Sequence, residues 1–119
     1  MKVNRGDVVL VPIHFTSGSG SKIRPVLVVQ SNRNNQRLHD TIVAVITSTT
    51  HRAAREATQL FVDPASSDGF STGLLHPSAI TCERLHTVAQ ESIQRKIGDC
   101  PHALMLQIDD CLKAALDIR

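Results

Sequence analysis

Tryptophan and tyrosine are absent from this 119-residue chain, and phenylalanine occurs only three times. That poverty argues against a base-stacking platform or an aromatic-lined groove for single strands. The cysteines, Cys82, Cys100 and Cys111, are odd in number and form no CxxC pair. They predict no disulfide framework and a reducing, cytoplasmic setting. The opening residues lack the apolar stretch of a secretory leader, so export is not expected. The longest apolar run, Ile42 to Ile46, is far short of the roughly 20 residues needed to span a bilayer.

What remains is an ordinary globular composition, with 41% apolar and 20% charged residues, and the length predicts one domain over residues 1–119. The net charge of +2 hides an asymmetry. Residues 1–55 hold eight basic and two acidic groups, net +6, whereas residues 56–119 hold five and nine, net −4. A basic half of this kind suits a polyanion; a scatter of solvated charges accounts for it equally well.

Apolar runs bounded by turn residues predict strands over Asp7–Phe15, Val26–Gln30, Thr41–Thr47, Thr58–Val62 and Ser78–Val88, with shorter pieces at Leu74–Leu75 and Ser92–Ile97. The second and third runs are continuous, which implies burial on both faces. Pro12 predicts an edge or a bulge in the first strand. Residues 16–22 read as a flexible Gly/Ser loop, and Asn34–Asn35 as the turn between the second and third strands. Leu104, Ile108, Cys111, Leu112, Ala115 and Leu116 form one stripe on a helix over Pro101–Leu116, started by Asp99 or Cys100. The architecture these elements predict is a small antiparallel sheet or barrel with one packed C-terminal helix.

A turn near position 36 sets Arg24 opposite Ser48, beside Thr47. The Gly/Ser loop and the polar loop carrying His51, Arg52 and Arg55 leave from the same end. Such a corner suits a phosphodiester, because a guanidinium offers fixed, permanently charged donors to phosphate oxygens and hydroxyls can complete the cradle. Taken alone, Arg24 reads first as a surface cation at a strand start, and Thr47 as a β-branched residue ending a strand; it is their convergence that points to a site.

Arg5-Gly6-Asp7-Val8, Arg24-Pro25-Val26-Leu27-Val28-Val29-Gln30 and Thr41 through Ser48 resemble the MazF/PemK family of bacterial toxins. So do Gly73-Leu74, Pro77-Ser78-Ala79-Ile80, Arg84-Leu85-His86-Thr87-Val88 and Ile97-Gly98, in family order and along essentially the whole chain. The resemblance implies a mainly β fold with a C-terminal helix, a small SH3-like antiparallel barrel that works as a homodimer. It implies a sequence-selective endoribonuclease that cuts single-stranded RNA, needs no metal or cofactor, leaves a 2′,3′-cyclic phosphate and a 5′-hydroxyl, and is blocked by a MazE-like antitoxin.

Carried onto this chain, the family's arginine falls on Arg24, its threonine on Thr47, and an acidic residue used by some members on Glu83. Lys22, Ser48, Arg52, Arg55, Arg84 and His86 are the expected RNA-binding residues. Thr81 stands where certain relatives have an arginine, and no histidine stands near Gly18, where the same relatives have one. Chemically, Arg24 suits stabilisation of the phosphorane charge, Thr47 can hydrogen-bond a phosphate oxygen, and Glu83 can take the 2′-hydroxyl proton if it reaches the corner.

Two rival readings share this fold. One is a CcdB-like toxin that poisons gyrase by binding protein; the other is a non-catalytic RNA-binding barrel. His14 borders the site or merely caps an edge strand. Cys82, His86, Cys100 and His102 can be assembled into a zinc set on paper, with spacings that match no familiar finger.

Overall fold

In the computed structural model, which describes residues 1–14 and 20–119, the chain runs β1 (Asp7–His14), β2 (Ser21–Val28), α1 (Asn32–Arg37), β3 (Asp40–Thr47), β4 (Gln59–Val62), β5 (Ser78–Ala89), β6 (Arg95–Asp99) and α2 (His102–Leu116). All strand pairs are antiparallel, in the order β4-β5-β3-β2-β1-β6. The sheet is therefore mainly β with a C-terminal helix, as expected; among the described residues its end strands do not pair with each other. Most of the Gly/Ser loop, including Gly18, lies outside the described residues.

The continuous runs in β2 and β3 are explained by apolar packing on both faces of the sheet. Val8, Leu27, Ala44, Ile46, Ile80 and Cys82 join Leu104, Met105, Ile108 and Cys111 of α2 in one core. Val9, Val11, Ile13, Val26, Val28 and Val43 form a second core with Val3 and Ile93. Strand alternation sorts the residues between the two. Met105 completes the helix stripe, whereas Leu116 stays exposed. The helix begins at His102, one place later than expected, with Pro101 as its N-cap, whose carbonyl accepts from Leu104 and Met105.

Three local differences from the sequence reading matter. The Asn34–Asn35 turn is a short helix, α1, capped by the Ser31 hydroxyl. Asn35 is buried in it, bonded to Gln30 and Thr41. Leu74–Leu75 is not strand but follows a 3-10 turn over Phe70–Thr72. Finally, β1 is an interior strand, yet β6 pairs with it only from Asp7 to Leu10. The Leu10 carbonyl faces β6, accepting from Gln94. Two residues on, the missing amide of Pro12 faces the same way, past the last β6 partner, and no ladder bond is lost.

Candidate active site

Proline also shapes the junction of β2 and β3. Arg24-Pro25 does not open β2 but sits inside it, since the strand starts at Ser21. The register pairs Val28 with Val43 and Val26 with Val45, and there the pairing ends. Val29 donates to Ile42 of β3, so by strand alternation the position of Pro25 also faces β3, and it has no amide hydrogen to give. The two strands part, and a space opens between them. Continued by two places, the register brings Arg24 abreast of Thr47, one residue from the position expected for a tight turn.

A third strand closes the space. Between β3 and β5 the register jumps: Ala44 pairs with Leu85, but Val45 pairs with Thr81. Cys82, Glu83 and Arg84 form a bulge, anchored toward β4 by the bond from the Cys82 amide to the Thr58 carbonyl. Bulges bend a strand and re-aim its side chains. Here Arg84 is brought to a cavity of about 110 Å³ lined by Arg24, Val45, Ile46, Thr47 and Arg84. Two guanidiniums thus arrive from β2 and β5, on either side of β3, and share a cavity with the threonine that ends it. The Thr47 hydroxyl accepts the Thr49 amide at 3.1 Å. Held as an acceptor, it keeps its own proton to donate.

Further cavities adjoin on each side. One, of about 190 Å³, shares Thr47 and Arg84 and is walled by Thr49, His51, Arg52, Gln59 and Thr81. The other, of about 260 Å³, shares Arg24, Ile46 and Thr47 and adds Ser48, Leu75 and His76, among others. Thr47 is a wall of all three, and together they make up the groove at this end of the sheet. A larger cavity of about 470 Å³ lies elsewhere, around Met1, Lys2, His39 and Glu91, and holds none of these residues.

Among the residues expected to bind or cut RNA, the structure therefore brings together Arg24, Thr47, Ser48, Arg52 and Arg84. Lys22, Arg55 and His86 stand outside the three cavities, Lys22 and Arg55 exposed and His86 half-buried on β5. Glu83 also lies outside their walls. Its carboxylate accepts from Thr58 Oγ1 at 3.1 Å and Gln59 Nε2 at 2.7 Å. Burial raises its pKa, but those hydrogen bonds and nearby Arg84 outweigh burial and leave it below the usual carboxylate value. His14 ends β1 opposite Ser21, away from the groove walls. Cys82 faces Cys111 across β5 and α2, and among the described residues no three His, Cys, Asp or Glu side chains gather as metal ligands.

His76 was invisible to sequence reasoning. It lies in an aperiodic turn whose placement depends on Gly73, at φ +72°, and on Gly98. A side chain on Gly73 would strike the Ile97 carbonyl, and one on Gly98 the Thr72 carbonyl. Two glycines thus let the turn lie flush on β6.

The family described as the PemK-like, MazF-like toxin of type II toxin–antitoxin systems matches residues 4–116. This chain belongs to that family. It is 33% identical over 120 residues to the endoribonuclease MazF6 of Mycobacterium tuberculosis, covering 99% of this chain and all of the relative. The endoribonuclease EndoA of Bacillus subtilis is 31% identical over 117 residues, covering 98% and 96%. A mycobacterial endoribonuclease solved in complex with its cognate antitoxin superposes with a TM-score of 0.77 at 20% identity, over 98% and 97% of the two chains. That likeness establishes the MazF fold for the six strands and α2. No helix among the described residues is long and apolar enough to cross a membrane.

Proposed function

We infer that this MazF-family chain is a cytoplasmic, metal-independent and sequence-selective endoribonuclease, the toxin of a toxin–antitoxin pair. It cleaves single-stranded RNA by attack of a ribose 2′-hydroxyl on the adjacent phosphorus. The P–O5′ bond breaks, leaving a 2′,3′-cyclic phosphate and a 5′-hydroxyl. The observation that carries the reading is the central cavity, which Arg24, Arg84 and Thr47 line together. The charge that builds on the phosphorane falls between two permanent cations and a neutral donor, the arrangement that electrostatic stabilisation requires. The nucleophile belongs to the substrate, so no protein nucleophile is needed, and DNA can bind without reacting.

Arg52 and Ser48, in the two adjoining cavities, hold flanking nucleotides, and Lys22, Arg55 and His86 add backbone contacts outside them. The family's arrangement adds a second copy of this chain and a MazE-like antitoxin as partners. Glu83 can serve as base only by exchanging Thr58 and Gln59 for the 2′-hydroxyl.

Purified protein incubated with single-stranded RNA in EDTA tests the reading. Cleavage with 2′,3′-cyclic and 5′-hydroxyl ends is expected, lost in Arg24→Ala with the far-UV spectrum unchanged. Intact RNA, 5′-phosphate ends or strict Mg²⁺ dependence would overturn it. Salt-sensitive RNA binding without product would favour the non-catalytic barrel.

A further inference from the structure

Arg84 reaches the central cavity from a stretch of β5 that β3 does not hold. Ala44 and Val45 are adjacent on β3, yet their partners are Leu85 and Thr81, so Cys82, Glu83 and Arg84 have no place in that ladder. Extra residues in a strand can take more than one course, and the course decides where their side chains point. Something other than β3 must fix this one.

The hold comes from the other neighbour of β5. Three hydrogen bonds join the bulge to Thr58 and Gln59, at the start of β4. The Cys82 amide donates to the Thr58 carbonyl at 2.9 Å. The Glu83 carboxylate accepts from Thr58 Oγ1 at 3.1 Å with one oxygen and from Gln59 Nε2 at 2.7 Å with the other. A carboxylate engaged at both oxygens by two successive residues fixes its own side chain and the backbone that carries it. The next residue along that backbone is Arg84. Its side chain lines the cavity it shares with Arg24 and Thr47 and the adjoining one walled by Gln59, whereas Glu83 lines neither.

Building on the endoribonuclease reading, we propose that Glu83 is a positioning residue, whose carboxylate clamps the β5 bulge to Thr58 and Gln59 and so holds Arg84 at the phosphate. Glu83 takes no proton in this role, and its contribution passes through Arg84. An effect of that kind is no larger than the loss of Arg84 itself and vanishes once Arg84 is gone. A general base behaves otherwise: its loss multiplies with that of Arg84, and glutamine cannot replace it.

The test compares single-turnover cleavage by Glu83→Gln, Glu83→Ala, Thr58→Val, Arg84→Met and the Glu83→Ala, Arg84→Met double variant, on an RNA oligonucleotide that the wild type cuts. Glutamine keeps an oxygen for the Gln59 amide and offers an N–H to the Thr58 hydroxyl oxygen; alanine keeps neither. Because Glu83 is exposed, far-UV spectra should match the wild type. Glu83→Gln should stay within about twofold of the wild-type rate. Glu83→Ala should fall about 10- to 100-fold, below the ceiling of about 10²–10³ for losing one charged donor. Thr58→Val alters no groove wall, yet should slow cleavage in the same direction and by less. In the Arg84→Met background, Glu83→Ala should cost no more than about twofold.

A Glu83→Gln protein as slow as Glu83→Ala would make the carboxylate itself the active element and overturn the clamp. Losses from Glu83→Ala and Arg84→Met that multiply would overturn it too, as would a Glu83→Ala protein as fast as wild type. In each of these outcomes the wild type still cleaves, so this inference alone falls. If the wild type leaves RNA whole, the endoribonuclease reading falls and takes the clamp's role with it.

Discussion

Arg24 and Arg84 sit on different strands, β2 and β5, with β3 between them. They share a cavity of about 110 Å³ with Thr47. If both guanidiniums serve one phosphate, their contributions must be coupled. Removing one charged donor from a preorganised site costs about 10²–10³ in rate, roughly 2.7–4 kcal/mol. Two independent losses would multiply to about 10⁴–10⁶. A shared phosphate shifts toward the remaining cation when one is lost, so the double loss departs from the product, with coupling of about 0.5–3 kcal/mol. Methionine is the useful replacement, because it keeps the aliphatic stem beside Ile46 while removing the guanidinium. The assay is a double-mutant cycle of Arg24→Met and Arg84→Met on kcat/KM, with thermal melts of each variant. Single losses of about 100-fold with clear non-additivity are expected. Additivity within about 0.5 kcal/mol, or an Arg84→Met enzyme as fast as wild type, would show that the bulge brings Arg84 to the cavity for some other purpose.

Three further outcomes follow from the same geometry. Pro25→Ala restores an amide facing β3 and should extend the β2–β3 ladder; cleavage falls as the space narrows. Stability changes by no more than about 1 kcal/mol, since the new hydrogen bond offsets the entropy regained by the unfolded chain. Cleavage rates and denaturant melts check this. Gly73→Ala should cost at least about 2 kcal/mol, from a left-handed φ and the meeting of its methyl with the Ile97 carbonyl; a melt unchanged from wild type would refute the contact. Burial pushes the Cys82 thiol up to about 12 and Cys100 to about 11. With folded values above unfolded ones, this contribution to stability is full below about pH 8.5 and lost as pH rises toward 11–12. Denaturant midpoints measured from pH 8 to about pH 10 should decline, and a Cys82→Ala, Cys100→Ala variant should lose part of that slope.

How much of this was legible in the chain depends on whether a residue acts through its own type or through its partner's place. The strands were readable because apolar runs such as Ile42–Ile46 need burial on two faces. Arg24 and Thr47 were readable because a register, once approximated, carries across a pair of strands. Its error of one residue came from α1, which replaces the expected turn. That helix depends on buried Asn35 meeting Gln30 and Thr41, a polar contact with no periodic signature. The β5 bulge was equally hidden. Nothing in Thr81-Cys82-Glu83-Arg84 departs from strand composition, and the bulge exists only as a mismatch with β3. His76 depends on two glycines meeting backbone from distant segments.

The charge asymmetry also changes meaning once partners are known. Lys2 binds three carbonyls around the end of α1, and Arg5 binds the Val29 carbonyl and Asp109 of α2 at 2.7 Å. Those two cations hold the fold together and do not belong to a polyanion surface. From the basic half, among the described residues, the charged side chains lining the groove are Arg24 and Arg52; Arg84, the other guanidinium of the central cavity, comes from the acidic half. Recognition of a phosphodiester here rests less on the net charge of either half than on three strand-level events. Pro25 stops a ladder, a bulge redirects β5, and β3 ends in a threonine between them. Salt should accordingly weaken RNA binding through the outer cations, Lys22 and Arg55. The chemical step at the central cavity, where Arg24 is half-buried, should respond less.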